Sequence, residues 1–392
     1  MYIADFHLHS KYSLATSKDM ELEQLLKWAK LKGLNLLGSG DFTHPLWYRE
    51  LKEKLKETNK EGIYNYKGLD FILTTEVSNI YKKDGKTRKI HTIIFISSLE
   101  KASILNKKLK KFSELNSNGR PILNIDVKEL LKIVKNTDAL GFIVPAHIWT
   151  PHYSLFGSFD SVEECFEELS DEIFTLETGL GSDPAMNKMV SSLDKYSFIS
   201  NSDAHSPYKI GREANVFDSP FSFKELKTIL KLKDKKRFLF TIEYFSEQGK
   251  YYFDGHKNCG ICLHPEESKK LNNICPLCGK KITIGVLHRV LNLADRKLGE
   301  NNRGLIPFKK TLPLLDIVGS LENKNPNTVS IIRKVEDMCT SFESEFSILL
   351  NIPIQNLKGK IDNNILQFLD SLRKGKIKII PGCDGQFGKL ET

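Results

Sequence analysis

The first 240 residues alternate short apolar runs with amphipathic, lysine-rich stretches. Apolar runs of this length are typical of buried β-strands, and the stretches between them have the spacing of helices. One helix is predicted from Ser17 through Ala29, ending near Gly33, and another over residues 46–60. This alternation predicts an α/β domain in which parallel strands form a barrel.

Most of the predicted strands carry an ionisable side chain at one end. The residues at these ends are His7, His9, Asp41, Glu76, His91, His147, Glu177, Asp203 and His205. The carboxyl ends of barrel strands share one rim, so we expect these side chains to meet there. Each one alone has a plain explanation as a loop cap, whereas the whole set favours a catalytic metal site.

The first predicted strand gives the clearest part of this pattern. Side chains alternate along a strand, so Asp5, His7 and His9 are predicted to share one face. Two imidazoles placed in this way can bind one metal ion. The alternative is a His-x-His pair on the surface of an edge strand.

Two Cys-x-x-Cys pairs follow the predicted barrel. Cys259, Cys262, Cys275 and Cys278 are predicted to bind one structural zinc through four thiolates, as in a zinc ribbon. The alternative is a pair of redox dithiols. His256 and His264 flank the motif and are expected to support it or lie on the surface rather than bind zinc. The isolated cysteines Cys165, Cys339 and Cys383 indicate no disulfide framework, which favours a reducing compartment.

Composition and charge narrow the class of protein further. The chain has 392 residues and a formal net charge of +9, which favours an anionic partner, with nucleic acid first. Its N-terminus lacks the apolar run of a secretory signal, and no stretch approaches the length of a membrane span. We therefore expect a cytoplasmic protein with no membrane association.

The motifs of the barrel region resemble the polymerase and histidinol phosphatase (PHP) family. The resemblance rests on His7-x-His9, Asp41 after a Gly-rich strand tip, Glu76, His91, His147 and Asp203-Ala-His205. It implies a distorted seven-stranded β/α barrel that binds up to three divalent metals for phosphoester hydrolysis. Zinc, manganese, iron and magnesium are the candidate metals. The family commonly has Asp-His in its second motif, whereas here Phe42 follows Asp41, and the roles of His44 and Glu177 stay open.

The order of motifs along the whole chain is similar to that of the endonuclease Q family. It combines the barrel, the four-cysteine ribbon, the run 285–296 and a Pro-Gly-Cys-Asp-Gly-Gln-Phe-Gly tail. The resemblance implies a DNA repair endonuclease that cuts 5′ of deoxyuridine, deoxyinosine, deoxyxanthosine or an abasic site. It divides the chain into a PHP barrel at 1–240 and a zinc-binding, DNA-recognition region at 241–392.

Four further residues are predicted to bind the substrate. Lys209 and Arg212 are the predicted phosphate contacts, and Trp149 is a candidate for stacking on an extruded base, with core packing as the alternative. The resemblance also suggests that Phe387 in the tail helps to hold the lesion. His288, Arg289 and Arg296 lie on a predicted helix and either meet the phosphate backbone or form a solvated face.

Two alternatives to a repair endonuclease come from other functional classes. One is a PHP phosphatase acting on a small phosphomonoester, and the other is a non-catalytic zinc-ribbon protein that binds nucleic acid. The expected partner is DNA with deaminated or abasic nucleotides, and the chain is expected to be a monomer. A sliding clamp is kept as a candidate partner, although the C-terminus carries no clear clamp-binding motif.

Overall fold

The computed structural model describes residues 1–300 and 304–391. Its strands are β1 (Tyr2–Asp5), β2 (Leu36–Gly38), β3 (Lys56–Glu57), β4 (Ile63–Tyr66), β5 (Leu69–Ile72), β6 (Thr74–Lys83), β7 (Lys86–Phe95), β8 (Ile122–Leu123), β9 (Phe142–Pro145), β10 (Thr175–Glu177), β11 (Ser197–Ile199), β12 (Ala214–Phe217), β13 (Phe238–Glu243), β14 (Asp254–His256), β15 (Ile261–Leu263), β16 (Phe308–Lys310), β17 (Ile379–Ile380) and β18 (Lys389–Leu390).

The helices lie between these strands and dominate the C-terminal third. They are α1 (Leu22–Lys32), α2 (Pro45–Lys54), α3 (Leu99–Leu109), α4 (Val127–Lys135), α5 (Leu155–Ser158), α6 (Val162–Phe166), α7 (Pro184–Asn187), α8 (Phe223–Leu232), α9 (Pro265–Lys270), α10 (Val286–Leu293), α11 (Leu314–Leu321), α12 (Val329–Ser341), α13 (Ile354–Leu357) and α14 (Asn363–Arg373). Short 3₁₀ turns cover Glu167–Glu172, Ser191–Lys195, Pro207–Lys209, Ser246–Gln248 and Lys257–Cys259, and a π turn covers Ser347–Asn351.

Two sheets and a strand pair form the framework for the strand-end residues. The larger sheet has the order β16-β13-β12-β1-β2-β5-β4-β3, the smaller one has β8-β6-β7-β9, and β10 pairs with β11. β1, β2 and β5 are parallel, but β12 is antiparallel to β1, and β7 is antiparallel to both β6 and β9. The α/β class is confirmed, whereas strands parallel throughout were a wrong expectation. The count of seven barrel strands stays a prediction.

Alternation along β1 sorts its side chains as predicted. Tyr2, Ala4 and Phe6 enter one apolar cluster, in which the ring of Phe6 lies 5.7 Å from that of Phe95. Asp5 points elsewhere, and its carboxylate accepts hydrogen bonds from the backbone N–H of Ser202 and Gly211. The apolar face therefore anchors the strand, while the polar face is tied to the loop that carries Asp203.

The predicted first helix is shorter at its N-terminus than expected, because α1 begins at Leu22. It ends where predicted, with Gly33 in the left-handed region at φ 85°. A Cβ at Gly33 would lie 2.6 Å from Ser344 Oγ, so the C-terminal helices approach the backbone closely here. No helix in the described ranges is long and apolar enough to cross a membrane.

The chain after residue 240 returns to the barrel sheet. The predicted division at 240 falls within β13, and β16 pairs in parallel with β13 through Thr241 opposite Phe308. The glycine-rich tail, which we define as residues 379–390, is ordered as a β17–β18 pair with a turn.

Candidate metal centre and cavity

Six of the predicted strand-end residues converge into two groups that could each hold a metal ion. His7, His9, Glu76 and Asp203 form the first group, and Glu76, His91 and His147 form the second. In each group the ligand atoms lie within 4.8 Å of one another. Glu76 is shared, which is the arrangement of a carboxylate that bridges two ions.

The ligand atoms of the first group crowd around Glu76 Oε2 and Asp203 Oδ1. His9 Nε2 lies 3.2 Å from the former and 3.1 Å from the latter, and His7 Nε2 lies 3.6 and 3.7 Å from them. Among the described residues, His7 Nε2 is buried without a hydrogen-bond partner. Buried polar atoms are normally paired, so this nitrogen fits a ligand of a divalent metal.

The second group lies on the other oxygen of Glu76. Glu76 Oε1 is 2.8 Å from His91 Nδ1 and 3.3 Å from His147 Nε2. Sequence reasoning expected Glu76 to end a strand and His91 to begin one. Both instead lie within the long hairpin β6–β7, whose register places Glu76 opposite Ile93 and His91 opposite Ser78. Each strand of the hairpin is ten residues long, so Glu76 and His91 lie inside their strands rather than at the ends.

Two carboxylates orient the imidazoles of the first group from behind. Glu177 Oε1 lies 3.0 Å from His7 Nδ1, and Asp41 Oδ1 lies 3.1 Å from His9 Nδ1. A carboxylate on Nδ1 fixes the ring and leaves Nε2 for a metal. Glu177, whose role the sequence left open, lies behind the ligand His7.

Asp41 and His205 were predicted as ligands, but the structure places neither in the two groups. Asp41 Oδ2 is occupied by hydrogen bonds from Ser10 and Ser13, so its carboxylate is committed to the loop around His9. His205 lies at the edge, with its ring 4.4 Å from that of His9. His44 contacts Asn116 O and stacks on Tyr12, away from both groups.

Backbone strain collects at three of the predicted ligands. Asp41, His147 and Asp203 have φ of 40°, 31° and 47°, in the left-handed region that non-glycine residues seldom adopt. Such conformations cost about 1–3 kcal/mol each and persist where the surroundings enforce them. In this conformation the side chains of His147 and Asp203 belong to the two groups, and that of Asp41 lies behind His9.

The charged residues of the two groups and their neighbours shift one another's pKa values. Burial alone would lower the pKa of His7, but Glu177 and Glu76 outweigh it and hold that pKa well above its ordinary value. Burial would raise the pKa of Glu76, but His91, Arg120 and His7 hold it well below the usual range. The carboxylate is therefore charged, as a metal ligand must be.

The centre opens into a cavity of about 470 Å³. Its lining includes two predicted phosphate contacts, Lys209 and Arg212, and the tail residue Phe387, together with Lys250 and Tyr251. Lys250 Nζ lies 4.7 Å from the centre of the Phe387 ring. Arg212 also donates through Nε to Ser202 O at 2.8 Å, which ties it to the Asp203 loop.

Arg120 was missed by sequence reasoning. Its Nη1 donates to Glu76 Oε2 at 3.0 Å, and it lines the same cavity. It comes from the loop before β8, which has no periodic pattern. A Cβ on the neighbouring Gly119 would lie 2.3 Å from Asp41 Oδ2, so this loop passes close to the residues behind His9.

Trp149 does not line this cavity, contrary to its prediction as a base-stacking residue. It is 1% exposed, its ring stacks on Phe156 at 4.1 Å, and its Nε1 donates to Asn187. The core alternative holds for Trp149. Tyr153 lines the cavity instead, with its ring 4.8 Å from that of His91.

The basic side chains of α10 and its C-terminal extension have internal partners. His288 is buried against Asp254 at 2.5 Å, and Arg296 pairs with Asp194 at 2.8 Å. Arg289 donates to Phe156 O at 2.8 Å and pairs with Asp160. The contacts of Arg289 and Arg296 fasten the C-terminal region to the barrel.

The ribbon, which we define as residues 254–282, brings together three of the four predicted thiolates. Cys259, Cys275 and Cys278 lie with His256, and the four ligand atoms are within 4.8 Å of one another. Cys262 is not among them, because it is bonded to Cys383. Cys262 was predicted as a zinc ligand, and that prediction was wrong, because the structure pairs it with Cys383, which is isolated in sequence but lies beside the ribbon in the fold.

Known proteins resemble this chain in sequence and in structure. The MJ0043 C-terminal domain model matches residues 313–376. The uncharacterized protein MJ0043 of Methanocaldococcus jannaschii is 32% identical over 62% of the chain, which spans only 31% of that protein. The crystal structure of the lesion-specific endonuclease PfuEndoQ from Pyrococcus furiosus is 30% identical, with a TM-score of 0.87 over 99% of this chain and 94% of its own.

The chain belongs to the endonuclease Q family. A second structure, endonuclease Q with a 27-mer duplex carrying an abasic lesion at its active site, has a TM-score of 0.89, 30% identity and coverage of 99% and 96%. The family resemblance drawn from the sequence is confirmed. So is the enzyme class, a metal-dependent DNA repair endonuclease.

Proposed function

We propose that this chain hydrolyses the DNA phosphodiester 5′ of deoxyuridine, deoxyinosine, deoxyxanthosine and abasic sites. One observation carries the proposal: two metal-competent groups share Glu76 and open into a cavity lined by cations and aromatic rings. The candidate metal ligands that line the cavity belong to the barrel, whereas Lys250, Tyr251 and Phe387 belong to the region after 240. Such a cavity can receive both a phosphate and a base.

The residues around Glu76 would hold two divalent cations, and the edge near His205 would be the place for a third. The mixed imidazole and carboxylate donors suit zinc, manganese, iron or magnesium. When bound, such cations activate water and offset the charge of the phosphate oxygens. Glu177 and Asp41 keep the imidazoles aimed, and Asp203 stays ionised because His9, His7 and His205 outweigh its burial and lower its pKa.

The cations that line the cavity would position the scissile phosphate. Arg120, Lys209 and Arg212 all line the cavity, and a guanidinium binds phosphate oxygens in a fork. Burial and the neighbouring Arg212 lower the pKa of Lys209, and a bound phosphate would raise it again by favouring the charged ammonium.

The aromatic wall would receive the lesion. A base within a duplex must be extruded before it can be contacted, at a cost of a few kcal/mol that is smaller at a mismatch. Phe387 is 45% exposed and Tyr251 lies beside it in the lining, so both offer ring surface. We include a cytoplasmic location and a monomeric state in the proposal, with DNA as partner.

The test is incision of labelled duplexes that each carry one lesion. We expect cleavage at the 5′ side of uracil, hypoxanthine, xanthine and abasic nucleotides, with none on the undamaged duplex or on p-nitrophenyl phosphate. Chelation should abolish cleavage, and each candidate metal should be added back separately. Cleavage of the phosphomonoester alone would instead support the phosphatase alternative, and binding without cleavage would support the non-catalytic one.

A pair of variants separates the centre from the fold. Glu76→Gln removes the shared ligand charge and should abolish incision, whereas Glu100→Gln, on the exposed side of α3, should leave it unchanged. DNA binding by both variants should persist at one fixed ionic strength, because phosphate contacts depend on salt. Incision by Glu76→Gln at the normal rate would contradict the proposal.

A further inference from the structure

The ribbon offers a metal site that differs from the one its cysteine spacing predicts. Cys278 Sγ lies 3.7 Å from His256 Nδ1, and these atoms lie within 4.8 Å of the sulfurs of Cys259 and Cys275. Three thiolates and one imidazole are a common tetrahedral zinc set. The residues present therefore fit a structural zinc without Cys262.

The register of the β14–β15 hairpin explains why Cys262 is excluded. Gly255 lies opposite Cys262, and His256 lies opposite Ile261. Directly opposed residues share a face and neighbours alternate, so Cys262 projects from the face opposite to that of His256. For all four cysteines to bind one zinc, the side chain of Cys262 would have to lie on the other face of the hairpin.

The tail packs on the face to which Cys262 points. Phe253 N donates to Gly382 O at 2.9 Å, and Lys257 N donates to Asp384 Oδ2 at 2.6 Å. A Cβ on Gly255 would lie 3.0 Å from Cys383 Cβ, so the missing side chain makes room for the tail. Cys262 and Cys383 are bonded across this contact, 121 residues apart in the sequence.

We propose that His256, Cys259, Cys275 and Cys278 bind the ribbon zinc. Cys262 instead forms a reversible disulfide with Cys383 in the tail. Two thiols form this bond by losing two protons and two electrons to a low-molecular-weight disulfide, which becomes two thiols. The cross-link fastens the tail four residues before Phe387, which lines the cavity of the metal centre. It does not depend on which lesion the chain cuts.

The zinc assignment is tested by metal content, with no activity measurement. Full-length protein and its variants are purified with reductant, and zinc is measured by emission spectrometry after dialysis. We expect His256→Ala and Cys259→Ser each to lose one zinc per chain, while Cys262→Ser and Cys383→Ser keep it. His256→Cys should keep it too, because a fourth thiolate replaces the imidazole, which separates loss of a ligand from misfolding. Loss of zinc by Cys262→Ser, or its retention by His256→Ala, would overturn the assignment.

The cross-link is tested by peptide mapping. After incubation with glutathione disulfide, digestion under non-reducing conditions should yield a peptide joining Cys262 to Cys383, absent from Cys383→Ser. Dithiothreitol should remove the linkage without releasing zinc and should speed amide exchange across residues 380–389. No linked peptide at any ratio of oxidised to reduced glutathione would refute the cross-link, as would zinc release when it forms.

Discussion

Glu177 accepts a hydrogen bond from His7, with Nδ1 3.0 Å from Oε1, so the Nε2 of His7 is the atom that faces Glu76 and Asp203. Glu177 is itself held by Asn201 Nδ2 at 2.9 Å and by His147 N at 2.8 Å. One carboxylate behind the centre thus sets a ligand of the first group and the backbone at a ligand of the second.

Replacing Glu177 should therefore weaken metal binding although it is not placed as a ligand. We expect Glu177→Gln to lower metal affinity by about 10- to 100-fold, because an amide cannot accept from all three donors at once. Titration with a competing chelator measures the affinity, and incision should recover at high metal concentration. Glu172→Gln, on the exposed 3₁₀ turn, is the control, and equal affinities for the two variants would contradict the role.

Arg120 should act on the substrate more than on the fold. Its guanidinium reaches Glu76 and lines the cavity, where its side chain is 26% exposed. We expect Arg120→Met to slow incision by about 100-fold or more, since a fixed cationic donor to a transferring phosphoryl group is lost. Arg120→Lys should recover only part of the rate, because ammonium lacks the fork geometry. Single-turnover rates at saturating metal give the comparison, and unchanged rates in both would remove Arg120 from the site.

The sequence predicted which residues meet in the two groups better than it predicted their roles. Strand-end reasoning identified His7, His9, His147 and Asp203, because a polar residue after an apolar run is a local signal. It could not separate a ligand from the residue behind it: Asp41 and Glu177 differ from Asp203 only in what their oxygens contact. That distinction depends on contacts between residues that are distant in the sequence, since His9 and Asp41 are 32 residues apart and His7 and Glu177 are 170 apart.

The C-terminal region shows the same limit. Cysteine spacing predicted that Cys262 binds zinc with the other three cysteines. The register of β14–β15 instead directs its side chain to the hairpin face opposite that of His256. Arg120 had no local pattern at all, since its position depends on the loop before β8 meeting the hairpin β6–β7. Spacing records distance along the chain, and the direction of each side chain follows from strand register.

A buried ion pair joins the barrel to the C-terminal helices. Lys32 Nζ lies 3.0 Å from Glu345 Oε1, with both side chains almost fully buried. Removing one partner leaves an uncompensated buried charge, so Glu345→Leu should lower the free energy of unfolding by about 3–5 kcal/mol. The double variant Lys32→Met, Glu345→Leu should recover much of this loss. Urea unfolding of the full chain checks both, and additive losses would show that the pair is not coupled.

Stability should fall as pH rises toward about 8, because two carboxyl groups, those of Glu243 and Glu213, are buried. Burial raises the pKa of Glu243 to about 8 and holds the pKa of Glu213 well above its ordinary value. The folded chain thus keeps protons that the unfolded chain releases above the ordinary carboxyl pKa. By linkage, stability is lost as pH rises from that value to about 8.

The variant Glu243→Gln should flatten this profile. Its amide cannot titrate, and it can still accept from Ser200 Oγ and Thr178 Oγ1, which lie 3.1 and 3.3 Å from Glu243 Oε2. Urea unfolding between pH 5 and 8.5, in one metal buffer, should show a decline of at least about 1 kcal/mol in the parent chain and a smaller one in the variant. Parallel profiles would mean that Glu243 is ionised in the folded state.

Phe387 should control the choice of lesion without affecting the metal ions. It belongs to the tail, and its ring lines the cavity with Lys250 Nζ 4.7 Å from the ring centre. Phe387 is a member of neither ligand group. Base stacking on an aromatic ring is worth about 1–3 kcal/mol, so its loss should weaken the hold on an extruded base. We expect Phe387→Ala to reduce the ratio of incision rates on uracil-containing and undamaged duplexes by about 10-fold or more. Phe387→Trp should retain the ratio, and Leu277→Ala, an exposed apolar residue of the ribbon, should not change it. Metal content should be equal in all three variants, and an unchanged ratio in Phe387→Ala would place lesion choice in the barrel loops.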